Sequence, residues 1–367
     1  MRYFRPVIIA CVFAFLNAPA SAQNGSQLTG GNGTLYIGGF AQKIYVIDEA
    51  TEQVVDEIRV STGTPRVMTL SADRERFYLY DTTMEHIEII DIASRSTLDA
   101  FTLSDGSKKV RIRNFEIDPK ERYLIIQTWA TTKLVDRFEI DPMRLVQYDL
   151  GAHEIVRDIP WPTSRRPGRA PLNMVFSPDG SLLYFFLDEI IIYETTNFTE
   201  VDRWDLSQPL EPGLGRIQFG FRDLINEEPG LYTGLFTVQS PVRDGRQMGV
   251  ARVNLTEKKI DYFYTLGPAI GVSFNLTPDR TMAYGLAKEY GQTEFWSFDL
   301  ENRRLGPRQR FHGRPRLLLK PSSNGQLLYL YYAGETIDVY EAGTYRYLRT
   351  LELEADQRTN LFVIPPN

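Results

Sequence analysis

The sequence holds one cysteine, Cys11, and three histidines in 367 residues. Lysine is scarce too: of 41 basic residues, 9 are Lys and 32 are Arg. No apolar run approaches the ~20 residues that a membrane-spanning helix needs, and no segment keeps the helical period of a long amphipathic helix. These absences exclude chemistry. His86, His153 and His312 lie far apart, and none has a second ligand at metal-binding spacing. No G-x-S-x-G elbow, HExxH helix, phosphate-binding glycine loop or EF-hand loop occurs. Asp188-Glu189 and Glu227-Glu228 are adjacent carboxylates. Neighbours on a strand face opposite ways, so neither pair makes a convincing acid/base couple.

Cys11 falls in a leader. Residues 1–22 carry Arg2 and Arg5, an apolar run from Val7 to Leu16, and the small-x-small triplet Ala20-Ser21-Ala22. This pattern predicts a signal peptide cleaved after Ala22, hence a periplasmic or secreted protein. Cleavage would move the formal charge from −6 to −8 and leave no cysteine. Such a mature chain could form no disulfide, no thiolate metal site and no covalent c-type haem link of its own. Gln23, in place of a cysteine, argues against a lipoprotein anchor. The N-x-S/T sequons at Asn24, Asn32, Asn197, Asn254 and Asn275 matter only in a eukaryotic secretory pathway. The leader looks bacterial, so they read as chance.

What remains is 43% hydrophobic, 24% charged and 12% aromatic, a folded composition that leans toward strands. It repeats. A strand, an acidic or Asn turn and a second strand recur as IYVIDEATEQVVDEIRV (44–60), IEIIDIASRSTLDAFTL (87–103), LVQYDLGAHEIVRDIPW (145–161), and IIIYETTNFTEVDRWDL (190–206). They return at 248–266, 294–311 and 337–353. The turn residues are Asp48, Asp91, Asp149, Glu194, Asn254, Asp299 and Glu341, spaced 43, 58, 45, 60, 45 and 42 apart. Between copies lies a second hairpin with a Ser/Pro/Asp/Gly turn, as in MVFSPDGSLLYFFL (174–187), and in degenerate form at 219–236.

Four short strands repeated seven times predict an all-β, seven-bladed β-propeller over residues 23–367. The ends complement each other: TLYIGGF (34–40) lacks a preceding partner, and NLFVIP (360–365) lacks a following one. Pairing them would close the last blade with strands from both termini, leaving no open edge. A β-sandwich explains neither the seven copies nor the matched ends. The long spacings mark insertions: an alternating hairpin at 131–145, a Pro- and Arg-rich loop at 160–171, and the stretch 205–216.

Approaching the first strand of six blades, the sequence places arginine: Arg66, Arg111 and Arg113, Arg169, Arg216, Arg314 and Arg316, and Arg358. Amides stand just inside at Asn114, Asn173, Gln218 and Asn360. First strands line the central channel, so these arginines could gather at one mouth as a funnel for a carboxylate, a phosphate or an acidic loop. Alternatively, Arg is simply abundant here and these side chains are solvated. A net negative chain without a basic, aromatic-interleaved stripe makes nucleic acid a poor partner.

The tandem YVID…SPDG…LY copies resemble bacterial YVTN-type propeller repeats. LVDRFEIDPMRLVQYDL (134–150) and TPDRTMAYGLAKEYGQTEFWSFDLENRRL (277–305) are similar to the β subunit of the quinohemoprotein amine dehydrogenases. That resemblance implies an exported, non-redox propeller packed against a dihaem cytochrome subunit and a small subunit. The small subunit would carry cysteine tryptophylquinone, and haem c would sit on the cytochrome. This chain would then hold no cofactor and would supply docking surface and cavity walls for amine oxidation. The fifth blade matches poorly. A standalone binding or scaffold propeller for an anionic ligand or protein is the second expectation, and a lactonase-type hydrolase the third.

Overall fold

The computed structural model describes residues 28–366, apart from 163–169, 188, 206–216, 221–222, 224, 240–244, 290–291 and 333. The leader, Arg169 and Arg216 therefore lie outside the described residues. Within them there is no helix, and none long and apolar enough to cross a membrane.

The strands form seven antiparallel sheets, the blades of a β-propeller. Blade one holds β1 (Thr34–Gly39), β2 (Lys43–Asp48) and β3 (Gln53–Arg59); its inner strand is supplied by the far end of the chain. Blade two runs β4 (Pro65–Leu70), β5 (Arg76–Asp81), β6 (His86–Asp91) and β7 (Ser96–Thr102). Blade three holds β8 (Lys108–Ile117), β9 (Tyr123–Lys133), the short β10 (Phe138–Ile140), β11 (Arg144–Asp149) and β12 (Glu154–Ile159). Blade four is β13 (Asn173–Phe176), β14 (Leu182–Phe186), β15 (Ile190–Glu194) and β16 (Glu200–Trp204). Blade five is β17 (Ile217–Phe219), β18 (Leu231–Gln239), β19 (Arg246–Asn254) and β20 (Lys259–Pro268). Blade six is β21 (Asn275–Leu276), β22 (Met282–Glu289), β23 (Gln292–Asp299) and β24 (Arg304–Phe311). Blade seven is β25 (Leu318–Pro321), β26 (Leu327–Tyr331), β27 (Thr336–Glu341) and β28 (Tyr347–Glu352), after which β29 (Phe362–Ile364) returns to blade one.

The ring closes as the matched ends require. Thr34 pairs with Ile364, Leu35 with Val363 and Tyr36 with Phe362. Glu49 staples the same seam: its buried carboxylate accepts Gly33 N at 2.9 Å, Ser323 N at 2.9 Å and the Tyr329 hydroxyl at 3.0 Å. Burial raises its pKa against the pull of those hydrogen bonds.

All seven turn residues of the repeat end the third strand of their blades. The reason is local. Asp48, Asp91, Asp149, Glu194, Asn254, Asp299 and Glu341 accept hydrogen bonds from residues two to five positions on, which shapes the chain into a turn. Four residues after each stands a left-handed residue: Glu52, Arg95, His153, Phe198, Lys258, Arg303 and Tyr345 have φ between 51° and 57°. A register slip follows in every outer strand pair, as a bulge in each blade requires. The core sits between blades. Tyr45, Tyr329, Ile337 and Leu361 pack where blade seven meets blade one, and similar clusters fill the other seams.

Candidate functional site

Inner strands line the axis and run the same way, so their N-terminal ends share one rim. The structure brings three predicted arginines together there, from three consecutive blades. Arg66, Arg113 and Arg358 all act on the Tyr80 hydroxyl. Burial raises the Tyr80 pKa, and the charges of Arg66, Arg113 and Arg358 oppose that rise. The Tyr80 hydroxyl lies 3.4 Å from the Arg113 carbonyl oxygen. Arg358 donates to the hydroxyl of Tyr332.

The other predicted residues go elsewhere. Arg314 turns to the Thr336 carbonyl at 3.2 Å and to Asp338 at 3.5 Å, in a groove between blades six and seven. Arg316 is exposed, in a left-handed conformation with φ 65°. Arg111 stands opposite Trp129 on the part of β8 and β9 that extends blade three. There it lines a groove with Lys109, Lys133 and Phe138. The expected hairpin exists: β9 runs to Lys133 and β10 pairs back on it, exposing Val135, Phe138 and Ile140.

The amides tie blade to blade. Asn114 of blade three donates to the Leu172 carbonyl at 2.7 Å, and Asn173 of blade four donates to the Gly220 carbonyl at 3.2 Å. Gln127 repeats the device, donating to Ala170 O and accepting Leu172 N, each at 2.9 Å. Gln218 sits in β17, and Asn360 lies at the mouth of an axial cavity. The histidines stay apart: His86 lies 3.4 Å from Asp81, and His153 3.4 Å from Asp99. Among the described residues, no three His, Cys, Asp or Glu side chains form a metal-binding group.

Sequence reasoning did not foresee what fills the axis. β17 is only three residues long, and Asp223, Ile225 and Asn226, which follow it, reach the other blades. Asp223, from blade five, reaches Lys320 of β25 in blade seven at 2.9 and 3.0 Å. It also accepts Leu276 N of blade six at 3.1 Å, and Asn226 donates to the Leu276 carbonyl at 2.7 Å. Ile225 is buried among Tyr36, Phe77 and Phe362 of blades one and two, and its carbonyl accepts Arg74 at 2.8 Å. A stretch of blade five that touches blades one, two, six and seven must span the axis. Two signals were visible: the degenerate fifth copy, and a lone lysine inside the apolar run LLLK (317–320).

On the arginine side of this crossing lies a cavity of about 540 Å³. Phe274, Leu318, Leu319 and Phe362 give it apolar walls; Ser273, Asn275 and Asn360 add polar groups; Asp223 and Lys320 form its base. Gly285 allows the wall strand to sit close, since a Cβ there would lie 1.8 Å from the Ser273 carbonyl oxygen.

Fold and topology together define a seven-bladed β-propeller. The structure is similar to the periplasmic gluconolactonase PpgL of Pseudomonas aeruginosa, with TM-score 0.53 and 15% identity over 90% of this chain and 99% of that one. It is also similar to a functionally unknown protein from Desulfotomaculum acetoxidans, with TM-score 0.52 and 13% identity over 92% and 100% of the two chains. Hydrazine synthase of Kuenenia stuttgartiensis aligns at TM-score 0.46 and 13% identity, over 90% of this chain and 95% of that one. At these identities the likeness is one of fold. No protein-family profile matches the chain, and no curated protein does either.

Proposed function

We propose that this chain is an exported docking propeller, the non-redox subunit of an amine-oxidising complex of the quinohemoprotein type. One observation carries the reading: Asp223, Ile225 and Asn226 tie the axis to blades one, two, six and seven, while Val135, Phe138 and Ile140 stand exposed on the blade-three hairpin. A propeller built this way offers surface to another protein, not a channel. Arg66, Arg113 and Arg358 suit carboxylates on a partner, because guanidinium groups bind oxyanions through paired N–H donors. The described residues include no cysteine, so a thioether-linked quinone or a c-type haem finds no attachment point among them. Those groups belong, on this reading, to a dihaem cytochrome and a small quinone-bearing chain, and this chain supplies walls and docking contacts.

The test is purification from the native host. The expected result is co-elution with a haem-bearing chain and amine-dependent dye reduction, with the Arg66→Gln/Arg113→Gln/Arg358→Gln variant dissociating at lower salt. A stable monomer, without amine oxidation alone or with candidate partners, would overturn it. The same three arginines favour a second reading, a standalone propeller that binds an anionic ligand at the rim. Calorimetry of the isolated chain against small carboxylates and phosphates separates the two.

A further inference from the structure

We infer that the axial cavity is a binding site for one small organic acid, with its carboxylate on Lys320 and its apolar body between Phe274, Leu318 and Phe362. The Asp223 carboxylate is fully engaged. Its Oδ1 accepts Ile225 N at 2.9 Å, Asn226 N at 3.2 Å and Lys320 Nζ at 3.0 Å. Its Oδ2 accepts Leu276 N at 3.1 Å and Lys320 Nζ at 2.9 Å. Three backbone N–H groups thus compensate much of the carboxylate charge before the ammonium is counted. No acceptor is left there for an incoming amine.

Lys320 differs. An ammonium has three N–H donors, and Asp223 is its sole partner among the described residues, through two oxygens of one carboxylate. Among the described residues that leaves at least one donor unmatched, on a side chain that is 7% exposed and lines the cavity. A buried ammonium donor without an acceptor is costly, and a ligand oxygen would supply the missing acceptor. Among the described residues, Asp223 and Lys320 are the only charged groups on the lining. The cavity volume of about 540 Å³ falls in the range of small-molecule sites, and apolar walls with few polar groups are their usual chemistry. Arg358 stands two residues before Asn360 at the mouth, a charge that favours anions on approach. The inference stands apart from the docking reading, since the cavity faces inward and needs no partner chain.

Phenylacetate is a suitable probe, with phenethylamine as its counterpart of opposite charge. Titration of the purified chain, followed by calorimetry and ligand-detected NMR, is expected to show one phenylacetate per chain and weaker or no phenethylamine binding. Asn360→Trp should fill the mouth and lower phenylacetate affinity by at least about tenfold, a loss of about 1.4 kcal/mol, while leaving the unfolding midpoint unchanged. Lys320→Met should abolish binding, and Asn360→Trp keeps the test decisive if that variant does not fold. Absent phenylacetate binding, amine binding as tight as the acid, or affinity unmoved by Asn360→Trp would each overturn the inference.

Discussion

Asp223 and Lys320 face each other at 2.9 Å across the axis of the ring, one carried by blade five and the other by blade seven. Both side chains are buried, at 0% and 7% exposure. Removing one partner leaves the other charge stranded, which costs about 3–5 kcal/mol. Lys320→Met and Asp223→Asn are each expected to lose stability on that scale in denaturant unfolding. The double variant should recover part of the loss, because no charge is then left unpaired. Single variants that unfold like the parent would show that the crossing does not hold the blades together.

The seam at the termini gives a second expectation. β29 contributes buried Phe362 and Val363, with Leu361 just before it. Burial of each such side chain is worth about 1.5–3 kcal/mol, so losing all three approaches the whole stability of a folded domain. A chain ending at Gln357 should lose its cooperative thermal transition. A shortened chain that melts near the full-length midpoint would contradict a closed ring.

Glu49 should make stability depend on pH with an unusual sign. Burial raises its folded-state pKa, the main cause of its shift. The folded state then binds its proton more tightly than the unfolded state does. Its contribution is fully present below the ordinary carboxylate value near 4.5, and is lost as pH rises through the raised value. Glu49→Gln should remove this component, so the gap between parent and variant should narrow from acid toward neutral pH in urea titrations.

Glu194 carries the opposite sign. The Thr199 hydroxyl and the backbone N–H groups of Asn197, Thr199 and Thr196 hold its pKa down to about 2. The turn between β15 and β16 gains from this above the ordinary value of 4.5 and loses it as pH falls toward about 2. Protection of the Thr196–Thr199 amides, relative to the intrinsic exchange rate at each pH, should fall over that window in the parent and show no such step in Glu194→Gln.

Asn114 and Asn173 are expected to act on stability rather than on anion binding. Asn114→Ala takes the side-chain donor from the Leu172 carbonyl, at a cost of about 1–3 kcal/mol, whereas after Asn173→Ala the Gly220 carbonyl keeps the Tyr232 hydroxyl and the loss should be smaller. Both should keep the parent's salt-dependent affinity for anions, and the Arg66/Arg113/Arg358 replacements should not. Equal losses of anion binding in both sets would place the amides in the site.

The blades were legible because their information is local. Asp48 and its six counterparts bond to residues at most five positions away, and the left-handed residues four positions on follow from those turns. The matched ends were legible too, since a strand without a partner is visible in a repeat. The arginines were legible only as a set. The charges of Arg66, Arg113 and Arg358 all act on Tyr80, whereas Arg314 finds Asp338 on a neighbouring strand. Which partner a long side chain meets depends on neighbours brought close by the ring, and the repeat carries no such information.

The sequence alone therefore determined the ring, its seven blades and its manner of closure, because hydrogen-bonded turns and period-2 alternation act over a few residues. Only the tertiary structure decided what fills the ring. Asp223 and Lys320 are 97 positions apart, and their pairing exists because closure sets blades five and seven around one axis. A mismatched fifth copy looked like a decayed repeat. In three dimensions it is the segment that crosses the axis, buries its carboxylate on Lys320 and leaves a cavity above.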